Sequence, residues 1–248
     1  METSIIQKLA ALNAAFYEAH GENFAETRPR LPSGVQRILE KIPSGSRVLE
    51  LGCGDGKVGR RLAARGCAYV GIDASEAMIK RAETFTENWT LRGGEFSTPP
   101  ILFLQADVLT PNWQNCVEDQ TFTYILGFAV WHHLPGAETR ARVVRECAAR
   151  LAEGGRLVFS NWQFTRSERL RARARPWAEL GLREEQVEPN DFLLSWERKG
   201  RRGLRYVHLL DEAEARQLAG QAGLRVLDIF SADGVSGDLA EYVILERA

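Results

Sequence analysis

The run Glu50-Leu-Gly-Cys-Gly-Asp-Gly56 constrains this chain more than any other feature. It follows a short apolar strand expected over residues 47–51 and precedes a helix expected over about 57–65. A strand that turns into a helix over glycines makes a nucleotide cradle. Glycine takes positive φ and lets a ligand approach with no Cβ in the way. The helix behind it offers backbone N–H groups that have no intrahelical partner. Gly54-x-Gly56-x-x-Gly59 also spells the dinucleotide fingerprint, so the glycines alone leave the nucleotide open. Glu50, the acid at the strand tip, discriminates. It repels a pyrophosphate and suits a ligand that carries an ammonium and a sulfonium. That favours S-adenosylmethionine over NAD.

At 248 residues the chain suits one α/β domain with elaborations. A hydrophobic share of 44% and a charged share of 26% supply a sizeable core and a solvated surface. The net charge of −1 creates no global field toward nucleic acid or membrane. Cys53, Cys67, Cys116 and Cys147 lie far apart, with no C-x-x-C pair, which argues against a disulfide framework or a zinc site and suits a reducing cytoplasm. No run of 18 apolar residues is present, and the N-terminus lacks a basic segment followed by an apolar one, so neither a membrane span nor a signal peptide is expected.

Strands and helices alternate from the glycine loop to residue 161. After the first pair come a strand at 68–73, a helix from Ser75 to about Asn88, strands at 101–105 and 122–128, a helix at about 137–152 and a strand at 156–161. This rhythm predicts a parallel sheet with helices on both faces. Residues 4–19 and 35–42 carry apolar residues at helical spacing ahead of it. Residues 162–210 show no clean period. A helix at 211–222 and two strands at 225–231 and 241–246 close the chain, the strands divided by Asp233-Gly234 and Ser236-Gly237-Asp238. No helix fits between those strands, so they form an antiparallel hairpin. The expectation is a doubly wound seven-stranded sheet, six strands parallel and the last antiparallel, with a helical cap. Its segments are an N-terminal cap (1–44), a cofactor-binding core (45–161), a lid or substrate insertion (162–210) and a C-terminal helix and hairpin (211–248).

Glu50, Asp73 and Asp107 all fall at the carboxyl ends of successive strands, where open α/β sheets bind ligands. Asp73 lies 21 residues after Gly52 and is placed to accept both ribose hydroxyls. Asp107 and the backbone of Val108 can read the adenine amino edge, with Ala74 and Met78 as apolar walls. Each acid alone also fits a helix N-cap. Gly52, Cys53, Gly54, Gly56 and Phe128 complete the expected cofactor contacts.

The whole pattern resembles the class I S-adenosylmethionine-dependent methyltransferases. Residues 48–56, Val-Leu-Glu-Leu-Gly-Cys-Gly-Asp-Gly, match that family's first motif. Residues 70–75 match the second, 105–107 the third, and 129–134 and 151–157 the last two. Thr123 stands where the family usually has an aspartate of structural role, so little effect on the cofactor is expected. The flanks are similar to the tRNA methyltransferases that esterify 5-carboxymethyluridine at the wobble position. That resemblance rests on Phe16-Tyr17, Phe24, Ala25, Thr27-Arg28, His132-His133, Trp162 and Arg205-Tyr-Val-His-Leu209. It implies a tRNA acceptor and, from eukaryotic relatives, a partner subunit that no residue here indicates.

An ionised carboxylate attacks a sulfonium methyl without losing a proton, so the acceptor site needs an orienting clamp rather than a strong base. Arg28 and Arg205 are candidates for the clamp, and Tyr206, His132 and His208 for its completion. A phenol or amine acceptor needs a base, for which His132 or His133 is the natural choice. The histidines are equally consistent with packing, and Arg205 with a surface ion pair. Segment 162–210 carries 11 Lys+Arg against 7 Asp+Glu. Its arginines suit phosphates or simply a solvated face. Three classes stay open: a tRNA methyltransferase, a small-molecule O- or N-methyltransferase, and a S-adenosylmethionine-binding protein without catalysis.

Overall fold

The computed structural model describes residues 1–26, 30–91, 101–118, 120–198 and 200–247, with backbone only for 21–26. Strand β1 (Arg47–Leu51) lies at the centre of the main sheet, between β2 (Ala68–Asp73) and β4 (Phe122–Phe128), and is parallel to both. Four of its five residues are buried because helices cover both faces, which is why it reads as a continuous apolar run. The order is β3-β2-β1-β4-β5-β10-β9, with β3 (Ile101–Gln105), β5 (Leu151–Trp162), β9 (Leu224–Ala232) and β10 (Ala240–Arg247). β10 runs antiparallel to both neighbours and the other six strands are parallel, as expected. The strand order reverses between β1 and β4, which is where open α/β sheets leave a crevice above the carboxyl ends.

Alternation along the strands feeds two cores. One face carries Leu49, Leu51, Ile72, Ile125 and Phe159 toward α5 (Ala137–Arg150) and α7 (Glu212–Gln221). The other carries Val48, Tyr69, Leu126, Val158 and Tyr242 toward α2 (Ser33–Lys41) and α3 (Lys57–Ala63). α4 (Glu76–Leu91) covers the β2–β3 side, with Ile79 and Ala82 in that second core. Thr123, the residue in place of the family's aspartate, laces β4 to β1: its hydroxyl accepts from Arg47 N–H and donates to Arg47 C=O, both at 3.0 Å.

Two parts differ from the sequence expectation. α1 (Thr3–Glu26) and α2 do not form one cap. α2 covers the sheet, whereas α1 leaves it and packs on β8 (Arg201–His208). Segment 162–210 is built mainly on strands. After the short α6 (Glu168–Arg171), a separate antiparallel sheet forms from β6 (Ala174–Arg175), β7 (Asp191–Arg198) and β8. β7 hides no period-2 pattern because both its faces are covered. Leu193 meets Ile5, Leu9 and Trp177 on one side, and Leu194 meets Phe164, Leu170 and Val207 on the other.

Candidate active site

At the first turn, Gly52, Gly54 and Gly56 all have positive φ, of 66°, 54° and 74°. At Gly56 the requirement is twofold, since a Cβ would also lie 2.7 Å from the Phe103 ring. A Cβ on Gly54 would meet nothing within 4 Å, so this side of the loop is a bare floor for a ligand. The loop is tied to the second strand through Asp73: one carboxylate oxygen accepts from Gly54 N–H and the other from Ser75 N–H, each at 2.9 Å. Each oxygen keeps a lone pair for a further donor. Burial raises the Asp73 pKa, and the two amides offset part of that shift. Asp107 is exposed and accepts from Leu109 N–H at 2.9 Å, so it caps its own turn while facing outward. Val108 is buried, Met78 and Phe128 half-buried, and Ala74 exposed. Ser75 caps α4 by accepting from Met78 N–H at 3.3 Å.

Glu50 is buried below the loop and accepts from the Tyr69 hydroxyl. Burial pushes its pKa up to about 8, against the lowering effect of Tyr69, with Asp73 and Asp55 adding repulsion. Burial likewise pushes the Cys53 thiol up, so Cys53 is a small apolar wall rather than a nucleophile.

On the far side of the crevice, β4 ends at Ala129, a non-glycine residue at φ 58°, whose N–H donates to Ser160 Oγ at 3.0 Å. A single helical turn, Trp131–His133, follows. Trp131 stacks on Phe159 at 4.7 Å, and Gly127 makes room for it: a Cβ there would lie 2.1 Å from the indole. The turn presents His132, buried, and His133, half-buried, with ring centroids 4.2 Å apart. His133 is held on both nitrogens: Nε2 is 2.6 Å from the Tyr17 hydroxyl and Nδ1 is 3.2 Å from the Tyr206 carbonyl. With Nδ1–H donating to that carbonyl, Nε2 accepts from Tyr17.

Arg205 comes to the same place from β8. It is 5% exposed, with its guanidinium 4.7 Å from the Trp162 ring centroid and 5.7 Å from that of Phe16. Trp162 also lies 6.3 Å from His132. Arg205, Trp162, Phe16, Tyr17 and the two histidines thus share one neighbourhood beyond the carboxyl ends of β4 and β5.

Tyr206 and His208 point to the opposite face of β8 from Arg205, because side chains alternate along a strand. The Tyr206 hydroxyl donates to Asp191 Oδ1 at 2.7 Å. His208 bridges Asp191 and Glu214, each at 2.7 Å. Arg140 in turn holds Glu214 at 2.6 Å and Glu188 at 2.9 Å. The grouping of Glu188, Asp191 and His208 has metal-ligand types within 4.8 Å of one another, but Arg140 and the bridged imidazole already answer its negative charge. This network ties β7 and β8 to α5 and α7. Arg28, the other clamp candidate, lies outside the described residues, as does Thr27; of Phe24 and Ala25 only the backbone is described.

A model described as a methyltransferase domain matches residues 24–229, most of the chain. The chain belongs to the methyltransferase family. The methyltransferase is 28% identical over 147 residues to the tRNA (carboxymethyluridine(34)-5-O)-methyltransferase of Saccharomyces cerevisiae, covering 59% of this chain and 46% of that protein. It thus spans less than half of that relative's length. It is 27% identical over 201 residues to a ubiquinone biosynthesis O-methyltransferase of Coxiella burnetii, covering 80% of this chain and 72% of that one. In fold it is similar to a S-adenosylmethionine-dependent methyltransferase of Methanosarcina mazei, with TM-score 0.67, 19% identity and coverage of 85% and 96%. It is also similar to magnesium protoporphyrin IX methyltransferase of Synechocystis with bound S-adenosylhomocysteine, with TM-score 0.65, 15% identity and coverage of 96% and 99%.

The donor set of the crevice fits S-adenosylmethionine, the cofactor that the sequence resemblance implies. The loop is bare at Gly54, and acids stand at three successive strand ends, of which Asp73 keeps lone pairs that suit hydroxyls rather than phosphates and Glu50 lies buried below the loop. The methyltransferase also uses residues that sequence reading passes over. Asn13 is 6% exposed; it accepts from Tyr206 N–H at 2.8 Å and donates to Tyr206 C=O at 3.1 Å, locking α1 to β8. Nothing local marks Asn13, whose partner is 193 residues away.

Proposed function

We propose that the methyltransferase esterifies a carboxylate, of the 5-carboxymethyluridine type in tRNA, with Arg205 as the group that aims it. The observation that carries this reading is the buried guanidinium between Trp162 and Phe16, next to His132 and His133. A planar fork in a poorly hydrated site binds a carboxylate in two parallel hydrogen bonds and fixes its plane. When bound, S-adenosylmethionine supplies the methyl group as an electrophile on sulfonium. No proton leaves a carboxylate acceptor, so the site needs no general base. His133 fits that need, since its two ring nitrogens serve Tyr17 and the Tyr206 carbonyl. An apolar surround built by Phe16, Trp162 and, from β7, Trp196 would favour a reaction in which opposite charges cancel. The similarity to the yeast enzyme supports the tRNA acceptor.

A second reading, an O-methyltransferase acting on a small molecule, draws support from the longer alignment with the Coxiella enzyme. One experiment separates the two. The protein is incubated with methyl-labelled S-adenosylmethionine and either bulk tRNA or a small-molecule extract, and the product is treated with mild base. A tRNA ester gives label in tRNA that base releases as volatile methanol. Base-stable label, or label in the extract alone, refutes the proposal. Arg205→Lys should lower kcat by at least about tenfold with little change in S-adenosylmethionine affinity.

A further inference from the structure

Among the described residues, the non-glycine positions with positive φ are Asn112, Glu118, Ala129, Asn190 and Asp233. Asn and Asp tolerate the left-handed region. Glu118 lies ahead of β4, at the amino end of that strand. Ala129, at φ 58°, directly follows the carboxyl end of β4, the end at which open α/β sheets bind their ligands. Alanine has no side-chain group to offset the crowding of its Cβ in that conformation, so its surroundings must hold it there.

The contacts around Ala129 show what the kink achieves. The ladder between β4 and β5 ends at the pair Phe128–Ser160. The next amide, Ala129 N–H, donates to the Ser160 hydroxyl at 3.0 Å in place of a strand carbonyl, and Ser160 is buried. Past the kink, Val130 packs on the glycine loop: a Cβ on Gly52 would lie 2.7 Å from Val130 Cγ2. Trp131 folds back over Gly127 and stacks on Phe159. The turn that follows, closed by His133 N–H to the Val130 carbonyl at 2.8 Å, carries His132 and His133. His132 neighbours Trp162, on which Arg205 lies. The conformation of one residue thus fixes how the cofactor loop stands to the acceptor side.

We propose that Ser160 is a positioning residue for methyl transfer. Its hydroxyl holds Ala129 in the left-handed region, and that kink sets the spacing between the sulfonium methyl and the acceptor. Without the hydroxyl, alanine relaxes toward negative φ and the histidine turn shifts against the glycine loop. Methyl transfer is an in-line displacement, and a misplacement of about 1 Å costs such a step roughly a hundredfold. The inference rests on the acceptor lying beside His132 and Arg205, whether or not that acceptor is a carboxylate.

The test is a double-mutant cycle on the full chain, with Ser160→Ala, Ala129→Gly and the two together. Turnover is followed with methyl-labelled S-adenosylmethionine on bulk tRNA and, separately, on a small-molecule extract. Calorimetry gives the affinity for S-adenosylhomocysteine, and amide exchange over residues 129–134 is measured in that complex. Ser160→Ala should lower turnover and quicken that exchange at least about tenfold each, with S-adenosylhomocysteine affinity changed by no more than about threefold. Glycine adopts φ 58° at no steric cost, so adding Ala129→Gly to Ser160→Ala should recover most of the lost turnover. A hydroxyl that only stabilises the fold gives a lower melting temperature with turnover unmoved. A hydroxyl that touches the acceptor gives a loss that glycine leaves unrepaired. Either result overturns the proposal, as does unchanged exchange in Ser160→Ala or label in neither fraction. Base-stable label sinks the carboxylate reading alone, since the cycle is then read on that product.

Discussion

Glu50 carries a carboxyl taken almost wholly out of water, at 3% exposure. Its carboxyl is held up at about 8 by burial, so near neutral pH it keeps a proton when the crevice is empty. The folded value lies above the unfolded value of 4.5, so the folded chain binds more protons between those values. Stability of the free protein therefore falls as pH rises from about 4.5 to about 8. Glu50→Gln should flatten that fall in thermal melts, while weakening S-adenosylmethionine, whose cationic end favours the carboxylate. An unchanged slope in the variant would exclude Glu50 as its source. At Gly56 the prediction is steric. Gly56→Ala forces a Cβ to positive φ and against Phe103, costing about 1–3 kcal/mol in urea unfolding and weakening cofactor binding. Asp73→Asn keeps one acceptor oxygen but loses the charge, and should cost roughly 2 kcal/mol of S-adenosylmethionine affinity by calorimetry.

Among the elements, α5 and α7 are joined to the small sheet by Arg140, which is 2% exposed. Its bonds to Glu188, Glu214 and the Leu134 carbonyl satisfy a cation that burial would otherwise penalise. Arg140→Met leaves two carboxylates facing each other and should destabilise the protein by about 3 kcal/mol in urea unfolding. Adding Glu188→Gln and Glu214→Gln should recover part of that loss if the pairing is its cause. The elements also differ in how far sequence reveals them. β1 and β2 are read as strands because their ends coincide with glycine and an acid and their apolar runs are short. α2 is read as a helix but not as a sheet-covering one, since its apolar stripe does not say what it meets. β7 is not read at all: with Leu193 and Leu194 buried on opposite faces, neither a period of 2 nor one of 3.6 appears.

For the molecule as a whole, His208 sits where the small sheet meets α7, the helix that packs on the main one. Burial lowers its pKa, but Asp191 and Glu214 outweigh burial and raise it above 6.5. A raised imidazole contributes stability that is complete below the unfolded value and lost as pH rises through the folded one. Amide exchange in β7 and β8, corrected for intrinsic rate, should therefore quicken above neutral pH relative to β1 and β2. His208→Gln should abolish that difference; a difference that persists would assign it elsewhere. By itself the sequence determined the seven-stranded order of elements, the glycine turn and the methyltransferase family, because those rest on residues adjacent in the chain. Local backbone sterics and strand–helix rhythm write them within short windows. The acceptor side was decided only by tertiary structure. Arg205 and Tyr206 are neighbours in sequence yet serve opposite faces of one strand, and Asn13, His133 and Tyr206 meet across more than 190 residues. Such contacts are selected by packing of the finished fold, and no local spacing records them.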